Sequence, residues 1–230
     1  MKVEKRFSQG FTVLGALTAA KSINDSSQDM YGPASGIQNP TNLRLERSLD
    51  PQDVSRRLVI SGVWDLPVGR SRAIGSSWSK AIDLLIGGWQ FNGIASFQSG
   101  LPLVMSSLGT PRPNRVATGT RPGGRIQDRL DRAFDTSAFA VPAAFTFGNS
   151  SRTAPDIRSH GIHNYDLSLF KHWQVHEKLK AQFRLELLTR STGAVQRRAP
   201  GVTAGNTAFG VINSQFNIPR QLQLALKLIF

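Results

Sequence analysis

Three observations predict an all-β chain: runs of about ten residues that alternate apolar and polar, a second face too polar for a packed core, and a split between tight turns and long loops. The fold class they point to is a segment of an antiparallel transmembrane β-barrel. About eight or nine strands are expected in the 230 residues, which is partial for a large barrel. The whole of 1–230 is read as one unit, with a long connection at about 105–160.

The first two strands flank Ser8-Gln9-Gly10. Val3, Lys5 and Phe7 share a face before that turn, and Phe11, Val13, Gly15, Leu17 and Ala19 share one after it. The same residues resemble a signal peptide, with a charged start and a short apolar stretch. Glu4 and the Ser-Gln-Gly break favour two strands. Next, "RLVISGVWDLP" places Leu58, Ile60, Gly62, Trp64 and Leu66 opposite Ser61 and Asp65. "GGWQFNGIASFQSG" sets Trp89, Phe91, Gly93, Ala95 and Phe97 against Gln90, Asn92, Ser96 and Gln98, and "NYDLSLFKHW" sets Tyr165, Leu167, Leu169 and Trp173 against Asn164, Asp166, Ser168 and His172. In "LKAQFRLELL", Leu179, Ala181, Phe183, Leu185 and Leu187 oppose Lys180, Gln182, Arg184 and Glu186. The last strand, "QLQLALKLIF", carries Leu222, Leu224, Leu226, Leu228 and Phe230 on one face, with Gln221, Gln223 and Lys227 on the other.

A tilted strand needs roughly 9–11 residues to cross a bilayer, whereas ordinary strands run nearer 5–6. An apolar-out, polar-in wall around a wet lumen accommodates both faces. Connections fall into two classes. "QVHEK" makes a tight hairpin, and "VGRSRAIGSSWSKAIDLLI" a turn region with a helical turn. Long loops are expected at Ser22–Pro40 and from Met105 to His160, where Gly, Pro, Ser and Arg abound without a sustained period.

Lys+Arg 28 against Asp+Glu 15 gives +13. That charge suits nucleic acid, an anionic membrane surface, or a part of a better balanced protein. The absence of Cys excludes disulfides and thiolate metal sites. No apolar run approaches the roughly 18 residues of a transmembrane helix, so any crossing must be by strands.

Trp64, Trp89, Tyr165 and Trp173 fall near strand ends, where a barrel carries an aromatic girdle. The alternative is that they are core aromatics of a soluble sandwich. His160, His163, His172 and His176 cluster in sequence, but His172 and His176 lack the helical spacing geometry of a two-imidazole ligand pair, and no metal or cofactor is expected. No G-x-S-x-G or Walker loop occurs, so no catalytic residue is assigned. The arginines from Arg112 to Arg132 have no aromatics among them to stack bases, so nucleic acid is not expected. Lipopolysaccharide phosphates or another anion remain possible partners there, and a charged solvent loop is the simplest reading. Asp128, Asp131 and Asp135, interleaved with Arg125, Arg129 and Arg132, read as a solvated loop or short exposed helix.

Several blocks in order then carry a resemblance: "VEKRFSQGFTVLGALTAAKSINDSS", "NPTNLRLERSLDPQDVSRRLVISGVWDLPVGR", "IGGWQFNGIASFQSGLPL", "FDTSAFAVPAAFTFGNSSR", "NYDLSLFKHW" and "PRQLQLALKLIF". Together they resemble the C-terminal part of an Oar-like TonB-dependent outer-membrane transporter. The resemblance implies a barrel of about 22 strands with an N-terminal plug and a TonB-engaging segment, and Met1 then reads as an internal start. It also implies bacterial outer-membrane localisation and contact with outer-membrane lipid and lipopolysaccharide. TonB would engage through N-terminal parts that cannot be placed in these residues. Ligands would meet the plug and extracellular loops, here Met105 to His160, and the terminal strand ending in Phe230 would be read by the barrel assembly machinery. One stretch departs from the pattern: "TRSTGAVQRRAPG" (Thr189 to Gly201) replaces an aromatic- and Asn-rich continuation, as a frameshift or a divergent segment would. No role is assigned to Arg197 or Arg198. Two other functions fit less of the chain: an adhesin-like or autotransporter surface barrel, and a soluble basic β-rich module for nucleic acid or polysaccharide.

Overall fold

Alternation along each run becomes one continuous sheet. The computed structural model describes residues 1–7, 10–25, 37–70, 72–120, 122–125, 130–176, 179–190, 201–213 and 220–230. Seven strands form its wall: β1 (Lys2–Phe7), β2 (Phe11–Ala19), β3 (Arg56–Asp65), β4 (Trp89–Gln98), β5 (Ile162–His176), β6 (Leu179–Arg190) and β7 (Gln221–Ile229). Each is antiparallel to the next in chain order, an up-and-down meander that is open between β1 and β7 among the described residues. Against the eight or nine strands expected, the other extended segments are ribbons with as few as two residues a side.

Register aligns like with like. Phe11, Trp64, Phe91, Leu169, Leu185 and Leu224 are successive partners across six strands. One residue along, Thr12, Val63, Asn92, Ser168, Glu186 and Gln223 form the adjacent row on the opposite face. Because side chains alternate with a period of two, a one-residue slip in any pair would mix these rows. Between apolar rows, Gly62 faces Gly93, and Leu167 spreads over the space that Gly93 leaves.

Connections also sort by end. The end of β1 and start of β2, and the end of β5 and start of β6, lie at one end, the turn end; between β3 and β4 at that end stands α1 (Lys80–Ile86), capped by Ser79. β2 leads to β3, β4 to β5 and β6 to β7 at the other end, where the described residues of the longer connections lie. The helical turn expected near Lys80 is thus present, whereas residues 191–200 of the divergent stretch fall outside the described residues.

The long connection expected at 105–160 has an apolar core of its own. This segment folds, with 201–212, into a cap that holds the buried apolar core: Leu103, Met105, Ala133, Phe134, Ala138, Phe139, Ala154, Ile157 and Ile212. Phe134, Phe139 and Phe209 meet edge to face with centroids 5.1–6.0 Å apart, an arrangement aromatic rings prefer. Ribbons tie the cap together: Pro102–Leu103 with Ala154–Arg158, Asn114–Arg115 with Phe139–Ala140, and Ser106–Ser107 with Thr203–Ala204. Gly148 is required by close approach, because a Cβ there would stand 2.1 Å from the Arg112 carbonyl oxygen. Apolar residues enter this core singly or in pairs between turns, so no period develops for a sequence reading to detect.

Candidate functional site

Two regions carry the candidate chemistry: the faces of the wall and the charged underside of the cap. On the apolar face, Leu222, Leu224, Leu226 and Leu228 of β7 stand beside Leu187, Leu185, Phe183 and Ala181 of β6. All four leucines are exposed, and Phe230 beyond them is 92% exposed. Trp64, Trp89 and Trp173 lie toward the turn end, where Trp64 meets Phe11 and Trp89 meets Phe183 edge to face. Tyr165 lies toward the cap end instead, with its ring 5.6 Å from Phe97. The four aromatics of the expected girdle thus stand at two levels of the wall, three toward the turn end and one toward the cap end.

The opposite face carries polar side chains that bond to one another, with the apolar Leu14, Val63, Ile94 and Phe170 among them. Gln90 donates to Asp65 at 2.7 Å, the Arg184 Nε donates to Gln182 at 2.8 Å, and the Arg184 guanidinium lies 4.9 Å from the centre of the Phe170 ring. Pairing within this row lets charged side chains share a surface without a hydrophobic cover.

A family described as an outer membrane beta barrel domain matches residues 1–223. The chain belongs to this family. No curated protein and no solved structure matches it. As an outer-membrane barrel protein, it resides in the outer membrane of bacteria. No helix among the described residues is long and apolar enough to cross a membrane. In such walls the apolar face meets lipid and the polar face lines the lumen.

Of the arginines from Arg112 to Arg132, whose simplest sequence reading is a charged solvent loop, Arg112 departs by being buried while Arg132 stays exposed, and Arg152 and Arg158 beyond that stretch are internally bonded. Arg112 forms a buried ion pair with Glu46, whose side chain is 0% exposed and also accepts the Gln38 N–H at 3.0 Å. Arg152, also buried, donates its Nε to the Glu46 carbonyl oxygen at 3.1 Å and its Nη2 to Asn24. Burial, with the Arg112 guanidinium nearby, lowers Arg152 from its ordinary value. Arg158 pairs with Asp53; burial pushes that carboxyl up, but Arg158 and the Ser22 N–H outweigh it and hold Asp53 below its ordinary value. Arg115 pairs with Asp156. Arg132 pairs with Asp135 at 2.9 Å, and Asp135 caps the 3-10 turn Thr136–Ala138. Arg129 and Asp128 lie outside the described residues. Buried charges demand partners, so burial of Arg112 and Arg152 withdraws them from solvent and from any external anion.

Beside exposed charges such as Asp131, Arg132 and Asp156, the cap exposes one uncharged stretch. A shallow cleft of about 570 Å³ lies between 108–111 and 141–147. Its rim carries Leu108, Val141, Phe145 and Phe147, all exposed. Phe145 has φ 60°, a left-handed conformation costing roughly 1–3 kcal/mol for a non-glycine residue.

The histidines separate in space. His160 is buried beneath the cap, His163 lies on the apolar side against Phe97 at 5.6 Å, and His172 lies on the polar side 3.2 Å from Gln182. The His176 side chain lies outside the described residues.

Two features escape the sequence reading. Glu46 leaves no local signal, because its partners lie 66 and 106 residues away. Lys171 does leave one. It occupies the apolar register of β5 between Leu169 and Trp173, where the alternation calls for a hydrophobe. There its side chain is buried, its ammonium donating to Gly87 O and lying 5.2 and 5.6 Å from the Trp89 and Trp173 rings.

Proposed function

We propose that the chain is the wall and cap of a TonB-dependent receptor that takes up a ligand across the outer membrane, with no catalysis. The observation carrying this reading is the cap: three long connections interlock over one end of a polar-lined wall. Barrels of this kind turn short connections to the periplasm and long ones outward, so the cap is taken as extracellular. Its arginines are used in holding it together, and the uncharged cleft at 108–111 and 141–147 is taken as its ligand-facing part. The ordered Oar-like blocks support the same reading, with TonB engaged through a plug-bearing N-terminal region.

Inspection of the genomic DNA upstream of the first codon tests the proposal. An in-frame plug domain and signal peptide are expected. An upstream passenger domain would favour a surface barrel of the autotransporter kind and overturn the uptake reading. TonB dependence is then checked by whether a protonophore abolishes accumulation of ligand.

Phe230 is proposed as the terminal residue of the assembly signal formed with Leu222, Leu224, Leu226 and Leu228. Burying a Phe contributes about 1.5–3 kcal/mol, but Phe230 is 92% exposed and supports little of the fold. Its deletion is therefore expected to reduce outer-membrane yield several-fold while leaving refolding in detergent unchanged. Unchanged membrane yield would remove the assembly role.

A further inference from the structure

At the turn end, the connection 66–88 folds back over the apolar face of β4 and β5 rather than projecting away from it. The indole of Trp173 donates to Leu84 O at 2.8 Å, and that of Trp89 to Leu85 O at 3.2 Å. The Lys171 ammonium donates to Gly87 O and reaches Asp83 O at 3.5 Å. Two carbonyls of the last turn of α1, at Leu84 and Leu85, which no helical N–H satisfies, are thus capped by indoles of the wall, and Lys171 caps the Gly87 carbonyl just beyond the helix. Cation and carbonyls neutralise one another on a face that otherwise presents hydrocarbon.

Held this way, α1 turns its own apolar side chains outward. Ile82, Leu84, Leu85 and Ile86 are all exposed, Leu85 to 71%. The helix meets the wall at Trp89, whose ring packs edge to face on Phe183, the neighbour of Leu226 on the apolar face. Asp83, one of the two charged residues in the helix, turns inward to accept the Arg70 N–H at 2.7 Å. A short helix of this composition facing water would expose a concentrated apolar patch, which in soluble surroundings invites association. Indole rings at its base suit the boundary between headgroups and acyl chains, and amphipathic helices bury their apolar side there.

We propose that α1 is an interfacial foot whose Leu84, Leu85 and Ile86 lie among the acyl chains of the periplasmic leaflet. Lys171 fixes it against the wall from beneath. The foot sets the height of the β3–β4 connection relative to the bilayer surface. This inference rests on the outer-membrane barrel and is independent of TonB-dependent uptake.

The absence of native cysteine allows a direct test. The full chain carrying Leu85→Cys, labelled with an environment-sensitive fluorophore, is placed in phospholipid vesicles containing doxyl lipids. A blue-shifted emission is expected, quenched several-fold more by doxyl groups near the headgroup than by aqueous iodide. A label at Phe145→Cys in the cap is expected to show the reverse. Leu84→Cys supplies a second probe should Leu85→Cys fold poorly, since both side chains are exposed. Iodide quenching at Leu84 and Leu85 equal to that at Phe145 would overturn the proposal by placing the helix in water. Protection from both quenchers would overturn it too, by showing that a protein partner covers the helix.

Discussion

Replacement of Glu46 by alanine is expected to unfold the cap while leaving the strands of the wall paired. The Glu46 carboxylate is fully buried, and it is the partner through which the Arg112 guanidinium is balanced. Arg152 donates to the Glu46 main-chain carbonyl, a bond alanine would keep, but the Glu46 charge also favours its cationic form against the Arg112 repulsion. Removing one member of a buried pair leaves an uncompensated charge and costs about 3–5 kcal/mol. Whole domains are stable by only about 5–15 kcal/mol, and the cap is a fraction of this chain. The effect should stay local, because the wall is held by strand pairing to which Glu46 does not contribute. Limited proteolysis on intact cells measures it: cleavage within 101–159 should become rapid in Glu46→Ala, with the barrel still in the membrane. Glu46→Gln keeps an acceptor but loses the charge and should fall between. Wild-type protease resistance in Glu46→Ala would show that the cap does not depend on this pair.

Leu185→Arg is expected to have the second largest effect. Leu185 sits mid-way along β6, in the row running from Phe11 to Leu224 across six strands. A charge on the lipid face near the bilayer midplane costs about 2–4 kcal/mol, and less toward the interfaces. Its neighbour Glu186 faces the other way, in the row with Ser168 and Gln223. Glu186→Gln should therefore leave membrane yield and denaturant resistance nearly unchanged. Heat-modifiable mobility of membrane-extracted protein reads both variants. Equal tolerance of Leu185→Arg and Glu186→Gln would mean that the two faces are not divided between lipid and lumen.

Lys171 shows why depth matters to such predictions. It shares the apolar face with Leu185 yet is accommodated, since it lies near the turn end and donates to carbonyls of the α1 segment. A lysine introduced at Leu185 would find no such carbonyls, because backbone groups in mid-sheet are already bonded to neighbouring strands.

The wall was legible residue by residue. Leu179 to Leu187 and Leu222 to Leu228 alternate whatever their partners, because successive side chains of an extended backbone point to opposite sides. The strands, their two faces and the helical turn near Lys80 follow from that and from composition. One irregularity, a lysine in the apolar register at position 171, was visible as a break, but its meaning depended on a helix more than eighty residues earlier in the chain.

The cap was not legible, and for a physical reason. Its core joins Met105, Phe134, Ile157 and Ile212, and its central ion pair joins Glu46 to Arg112. None of these has a neighbour in sequence that reveals its environment, and an arginine looks the same whether it will be hydrated or buried against a carboxylate. Strand character is a local property of the backbone and could be read before any contact was known. Burial is a property of segments brought together in space, and only the folded chain shows that this basic, proline-rich connection encloses the protein's main hydrophobic core.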